Sequence, residues 1–323
     1  MRKLKDIVVF RNERLYASFP TVARTREGEL LVGFRVGPRE KLPTHFHSQS
    51  RAVCVRSSDD GETWSREFSA ISPEDELGQQ DPSLRALSDG RVLASYFRWQ
   101  FHPLPERDGL KKTRVLREAK GGLMRLAGVA VCTSDDGGRT WSQFRRVHIP
   151  EYDDVAAVRG RTEELPDGTL LMPVYLVGGE NYVHILRSVD RGETWEDFSV
   201  VVARPPGREN ACDEPTLLRL PSGRLLCFIR AYGEGGLMQV TESLDGGRTW
   251  EAPRETRVWG FPQWAISLRD GRVFIAYGYR KEPYGVRARI WDPEQEEVDE
   301  AEELVLRDDG VSPDLGYPSA SVE

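Results

Sequence analysis

Four stretches decide the fold of this chain: Ser57-Ser-Asp59-Asp-Gly61-Glu-Thr63-Trp64, Ser134-Asp-Asp136-Gly-Gly138-Arg-Thr140-Trp141, Ser188-Val-Asp190-Arg-Gly192-Glu-Thr194-Trp195 and Ser243-Leu-Asp245-Gly-Gly247-Arg-Thr249-Trp250. All four read Ser-x-Asp-x-Gly-x-Thr-Trp, and successive copies begin 54 to 77 residues apart. Self-similarity at a long period marks a repeat architecture, in which one supersecondary unit is copied along the chain. The physics of one copy is local. The Asp accepts backbone N–H bonds inside its own turn, and a Gly takes the φ > 0 position. The Trp folds back as an apolar anchor. Each copy is therefore a hairpin turn with a built-in clamp.

A second repeat alternates with the first. Pro20 leads to Gly28 and Leu30-Leu-Val-Gly-Phe-Arg35; Pro82 leads to Gly90 and Val92-Leu-Ala-Ser-Tyr-Phe-Arg98. Pro215 leads to Gly223 and Leu225-Leu-Cys-Phe-Ile-Arg230, and Pro262 leads to Gly271 and a run ending at Arg280. A further unit has Gly160 in the Pro slot, then Gly168 and Leu170-Leu-Met-Pro-Val-Tyr175. Short apolar runs joined by Gly turns are β-hairpins. A hairpin plus a clamped hairpin makes a four-stranded antiparallel blade, the unit of a β-propeller. A sixth unit begins at Leu315-Gly-Tyr317-Pro318, and its Gly turn would fall beyond Glu323. The expectation is an all-β, six-bladed propeller in one domain over residues 1–323. Its last blade is incomplete, and residues 7–10 supply that blade's outer strand.

The clamped turn is the Asp-box, and four of them set in this second repeat resemble the sialidase superfamily. The resemblance implies a six-bladed propeller whose boxes lie away from the active site and do no chemistry.

Composition narrows the function classes. A net charge of −7 argues against nucleic acid, whose binding rests on phosphate neutralisation by Lys and Arg. No run of 18 apolar residues exists, so no membrane-spanning helix is expected. The apolar run after the basic start ends at Arg11, too short for a signal peptide, so the expected location is cytoplasmic. Cys54, Cys132, Cys212 and Cys227 lie in or beside apolar runs without a CxxC pair, which reads as buried free thiols. No metal or cofactor is called for. Residues 100–126 are charge-rich and read as an inserted loop with a short helix.

In a propeller the innermost strands all start at one end of the central channel. Residues beside the leading Pro therefore form a ring: Phe19, Asp81, Glu214, Phe261 and Tyr317. The arginines that end the next strands, Arg35, Arg98, Arg230 and Arg280, form a second ring. Arginines facing Asp, Glu and Tyr suit an anionic sugar, because guanidinium–carboxylate contacts are charge-assisted. Asp81 is a candidate acid/base in the first ring.

The sialidase resemblance implies a Tyr nucleophile, a Glu that takes its proton, and three Arg on the sugar carboxylate. Asp213-Glu214-Pro with Arg230 resembles the segment carrying the Glu and one Arg, and Gly316-Tyr317-Pro-Ser319 resembles the nucleophile segment. Glu214 is then the base, Tyr317 the nucleophile and Arg230 a carboxylate clamp. Arg280 matches the third Arg, with Arg287 its rival. Two positions depart from the family pattern. Ser18 stands where the first Arg is expected, and residues 36–50 hold Glu40, His45 and His47 but no Asp to act as acid/base. Arg161, near the third ring slot, is a candidate for the missing Arg. His45 and His47 are two apart and share a strand face; a substrate contact through His47, a general base and a metal pair are the readings they allow. The leading expectation is an exo-glycosidase acting on a sialic or related acidic sugar. The alternatives are a non-sialidase glycosidase or uronate lyase on the same fold, and a glycan-binding propeller without catalysis. Oligomeric state is left open.

Overall fold

Five antiparallel sheets form around one channel, one for each complete repeat unit. The computed structural model describes residues 3–40, 45–110, 112–119, 122–149, 151–177, 183–203, 212–231 and 236–321. Blade 1 runs Leu15–Arg24, Leu30–Pro38, Arg51–Ser57 and Ser69–Ala70 from inside to outside. Blade 4 (Cys212–Arg219, Leu225–Ala231, Leu237–Ser243, Arg254–Trp259) and blade 5 (Gln263–Ser267, Val273–Tyr279, Gly285–Trp291, Glu303–Arg307) repeat the pattern. Blade 3 splits its inner strand into Ala156–Val158 and Glu163–Glu164 around Gly160. In blade 2 the middle hairpin, Val92–Pro103 with Gly122–Ser134, continues outward as a β-arm. The arm carries the short strand Leu116–Ala119 and a 3-10 turn at Leu104–Leu110. The inserted segment is thus mostly ladder rather than loop.

The Asp-boxes sit between the third and fourth strands of blades 1 to 4 and are built as their chemistry requires. In the first, Asp59 Oδ1 accepts from the Thr63 N–H at 2.9 Å and Oδ2 from the Thr63 hydroxyl at 2.6 Å, while Ser57 Oγ accepts from the Gly61 N–H at 2.9 Å. The boxes also staple neighbours. The Gly138 box of blade 2 lies against Leu31 of blade 1, the Gly192 box of blade 3 against Leu93, and the Gly247 box of blade 4 against Leu171. Each of these leucines is buried, and removing such a side chain from water contributes about 1.5–3 kcal/mol.

The number of blades differs from the expectation: the described residues form five four-stranded blades rather than six. Strand packing runs from blade 1 to 2, 2 to 3, 3 to 4 and 4 to 5, and none comparable joins blade 5 to blade 1 among the described strands. Two extended segments bridge that sector. On the inside, Ser319 Oγ accepts from the Val22 N–H of blade 1 at 2.9 Å, and the Ala320 carbonyl accepts from Trp264 Nε1 of blade 5 at 3.1 Å. On the outside, Lys3 Nζ donates to the Leu306 carbonyl of blade 5, and Phe10 packs on Phe34 and Phe68 of blade 1. Residues 7–10 therefore span the gap without forming the expected strand. No described helix is long and apolar enough to cross a membrane. All four cysteines are buried free thiols.

Candidate functional site

Four residues that precede a proline share an uncommon backbone. Phe19, Asp81, Glu214 and Tyr317 have φ of 56°, 49°, 47° and 63°, the left-handed region that non-glycine residues seldom enter. In blades 1, 2 and 4 the ladder slips at this point, between Ser18/Thr21, Gln80/Ser83 and Asp213/Thr216. A proline cannot donate to the ladder, so the strand bulges there, and a bulge re-aims a side chain. Asp81, Glu214 and Tyr317 consequently line one cavity of about 210 Å³ at the X-Pro end of the channel, together with His45, Arg117, Tyr175, Arg230 and Arg280. Phe46, Phe97 and Trp99 form an aromatic wall.

At the floor the Tyr317 hydroxyl donates to Glu214 Oε1 at 2.6 Å, and Arg230 Nη1 donates to Glu214 Oε2 at 2.6 Å. All three residues are buried. Burial, reinforced by the Glu214 and Asp81 carboxyls, pushes the Tyr317 phenol well above its usual range. Tyr317 therefore rests as a neutral phenol and needs a base to become a nucleophile, and Glu214 is at hydrogen-bond distance. Two cations face the Tyr317 ring, Arg159 at 5.2 Å and Arg280 at 5.7 Å. They favour negative charge developing on its oxygen. The Phe19 ring meets Tyr317 edge-on at 4.7 Å and fixes its plane. Asp81 is pushed up to about 8 by burial, with Glu214 adding to the push and Arg159, Arg35 and Arg230 opposing it. Its Oδ1 has no hydrogen-bond partner among the described residues. Arg280 lies over the Phe261 ring at 4.9 Å, and its Nε and Nη2 have no hydrogen-bond partner among the described residues.

The structure separates the expected site residues into two groups. Glu214, Tyr317, Asp81, Arg230 and Arg280 come together. Arg98 does not: it donates to the Ala127 carbonyl and lies over Phe144 on the outer side of blade 2. The reason is register. Arg35 pairs with Ser18 and Arg230 with Asp213, each one residue before the bulged position, whereas Arg98 pairs with Gln79, two before. A one-residue offset turns a strand side chain to the other face. Phe97 takes the inward place. Arg35 is buried against Ser18 and Ser50 behind the floor, with its guanidinium lowered to about 10 by burial.

Arg161 is also elsewhere. It pairs with Glu163 in a cavity of about 360 Å³ lined by Arg24, Arg85, Ala86 and Arg219, the far ends of the inner strands. That larger cavity is the opposite mouth of the channel and holds no Tyr–Glu pair. Arg159, one residue before Gly160, occupies the ring slot of blade 3 instead. Its Nη2 reaches the carbonyls of Pro20 and Tyr317 at 3.4 and 3.3 Å. The same slot rule used for the other blades would have found it. His47 turns away, with Nδ1 accepting from the Gln49 N–H and Nε2 3.6 Å from Glu40, while His45 lines the cavity. Arg287, the rival to Arg280, stacks on Tyr279 at 4.6 Å outside it. No described group of three His, Cys, Asp or Glu residues could hold a metal ion.

Residues 116–322 match the BNR repeat-like domain family. This chain belongs to that family. A solved Dyadobacter fermentans protein of unknown function is 33% identical, with a TM-score of 0.90, covering 98% of this chain and 90% of that one. A Hadza microbial sialidase (19% identical, TM-score 0.67) and a leech intramolecular trans-sialidase (15%, 0.63) each cover 90% of this BNR repeat-like chain. It spans only 59% and 60% of theirs. A Penicillium chrysogenum α-L-arabinanase is 14% identical with a TM-score of 0.60, covering 89% of this chain and 81% of that one. At these identities the sialidases and the arabinanase share the fold, and a fold hosts many activities. No curated protein matches this BNR repeat-like chain in sequence.

Proposed function

We propose that this protein is an exo-acting glycosidase for a sugar bearing a carboxylate at or beside the reacting carbon, as in a sialic acid. The observation that carries the reading is the buried Tyr317–Glu214–Arg230 chain, with 2.6 Å at each link. Arg230 occupies one carboxylate oxygen of Glu214 and leaves the other to take the phenolic proton. A neutral phenol suits a substrate whose anomeric carbon carries a carboxylate, because an anionic nucleophile would be repelled on approach; tyrosine is a recognised exception to the carboxylate-pair rule of glycosidases.

In the first step the Tyr317 oxygen bonds to the anomeric carbon, its proton passes to Glu214, and the glycosidic bond breaks as the leaving oxygen is protonated. Water then attacks the same carbon, and Glu214 returns the proton to Tyr317. Arg280, whose Nε and Nη2 have no partner among the described residues, is the carboxylate clamp. Burial pushes the Asp81 carboxyl up to about 8, which favours its protonated form, and it acts as a hydrogen-bond donor to the sugar from the floor. Phe46, Phe97 and Trp99 supply an apolar face for the ring.

The test is hydrolysis of a fluorogenic α-sialoside and an aryl uronide by wild type, Glu214→Gln and Tyr317→Phe. Wild-type turnover with a loss of about 10²–10⁴-fold in kcat for Glu214→Gln is expected, the range of a lost general base, with an unchanged circular dichroism spectrum. Undiminished activity in Glu214→Gln, or a silent wild type on all carboxylated glycosides, overturns the reading.

A further inference from the structure

The reaction above needs a group that protonates the leaving oxygen, and residues 36–50 contain no Asp. Outside the Tyr317–Glu214 pair, the carboxyl and imidazole side chains lining the cavity are Asp81, Asp213 and His45, and Asp213 is grouped with Asp81 and Glu214 around the buried Tyr175 phenol rather than with His45. Asp81 lies at the floor, 2% exposed and beside Glu214. In an exo-acting cavity the terminal sugar fills the floor and its leaving group points to solvent, so a donor at the floor cannot reach the bond that breaks. His45 lies at the mouth, with its side chain 39% exposed. Its Nε2 is 3.0 Å from both carboxylate oxygens of Asp314, and its ring packs 5.7 Å from Phe19 and 6.1 Å from Phe46. The loop after the second strand of blade 1 supplies the imidazole. The C-terminal segment, three residues before Tyr317, supplies the carboxylate.

We propose that the His45–Asp314 pair is the acid/base of this site, His45 exchanging the proton and Asp314 orienting its ring. The inference rests on the glycosidase reading. Asp314 accepts the Nε2–H and so selects the tautomer that leaves Nδ1 for the exchange, the logic by which a carboxylate orients a catalytic imidazole. In the first step the imidazolium gives its proton to the leaving oxygen as the C–O bond breaks. In the second the neutral imidazole takes a proton from the attacking water. Protons balance over the cycle, and no other reactant is needed. Asp314 is a positioning residue. Because it shares a short segment with Tyr317, the nucleophile and the acid/base are held in place together.

The test compares leaving groups. kcat/KM is measured for a methylumbelliferyl α-sialoside, whose phenolate departs without help, and for an alkyl or saccharide α-sialoside, whose alkoxide does not, in wild type, His45→Ala, Asp314→Asn and Asp81→Asn. His45→Ala should lose about 10²-fold or more on the alkyl substrate, within the range of general acid catalysis. On the aryl substrate it should keep most of kcat/KM and show a pre-steady-state burst, because water attack on the tyrosyl intermediate becomes slow. Asp314→Asn should show the same split to a smaller degree. Equal losses on both substrates, or the split appearing in Asp81→Asn instead of His45→Ala, overturns the assignment. If only the aryl uronide is turned over, the same aryl-against-alkyl comparison is made on uronides; a wild type silent on sialosides and uronides alike overturns the glycosidase reading, and this inference with it.

Discussion

Asp81 shows how one residue can be informative twice. The X-Pro bulge places it at the floor, and burial lifts its carboxyl from 3.8 to about 8. The folded state then binds a proton that the unfolded chain has released, so stability falls as pH rises through that interval. Below 3.8 both states are protonated and nothing is lost; above about 8 the loss is complete. Asp81→Asn, which keeps the shape without the titration, should flatten the decline. Melting temperatures from pH 4 to pH 9 check this, and equal slopes for both proteins would contradict it. At this scale the sequence was partly legible. Glu214, Asp81 and Tyr317 were visible because each precedes a proline. The inward arginines carried a finer signal: Arg35 and Arg230 each follow their proline by fifteen residues, while Arg98 follows Pro82 by sixteen. That one-residue difference is what turns Arg98 outward.

Among the elements, the Asp-box is the unit whose behaviour follows from its own eight residues. The Thr249 hydroxyl and N–H bind Asp245 at 2.6 and 3.0 Å and hold its carboxyl down to about 2. A depressed acid contributes stability that is present above 3.8 and is lost as pH falls through about 2. Asp245→Ala should therefore lower the melting temperature at neutral pH, leave kcat unchanged, and differ less and less from wild type as the pH approaches 2. Thermal unfolding and turnover on the same samples decide it. The box was fully readable because its bonds are local. Its docking on the preceding blade was not, since Leu31, Leu93 and Leu171 lie far from their boxes in sequence. The arm of blade 2 was hidden for a similar reason: its charged composition masked a ladder that continues the buried hairpin.

For the whole molecule, the decisive feature is the sector between blades 5 and 1. Residues 315–321 bridge it and carry Tyr317 to Glu214 of blade 4. Their path runs backbone against backbone: a side chain at Gly278 would meet the Phe261 carbonyl at 2.7 Å and Gly316 Cα at 2.8 Å. Gly278→Ala should displace this segment, lengthen the Tyr317–Glu214 contact and lower kcat by about 10²-fold or more, since small misplacements in a site cost that much. The blades themselves should keep their circular dichroism. Wild-type kcat in Gly278→Ala would show that the segment is held by other contacts.

The sequence by itself determined the blade and its turn, because both depend on period-2 apolar runs, Gly at φ > 0 and bonds within a few residues. It also determined which carboxylate, phenol and guanidinium stand at the channel mouth, because a repeat imposes one register on every inner strand. Only the tertiary structure decided the rest. It set five blades where six were expected, turned Arg98 away, put Arg159 rather than Arg161 against Tyr317, and brought His45 to Asp314 across 269 positions of chain. Each of these depends on a register slip or on a meeting of distant segments. The blade count and the His45–Asp314 meeting are fixed by the packing of the whole ring and leave no local pattern to read, whereas the residue before Gly160 and the sixteen-residue offset of Arg98 stand in the sequence and take their meaning only from the folded register.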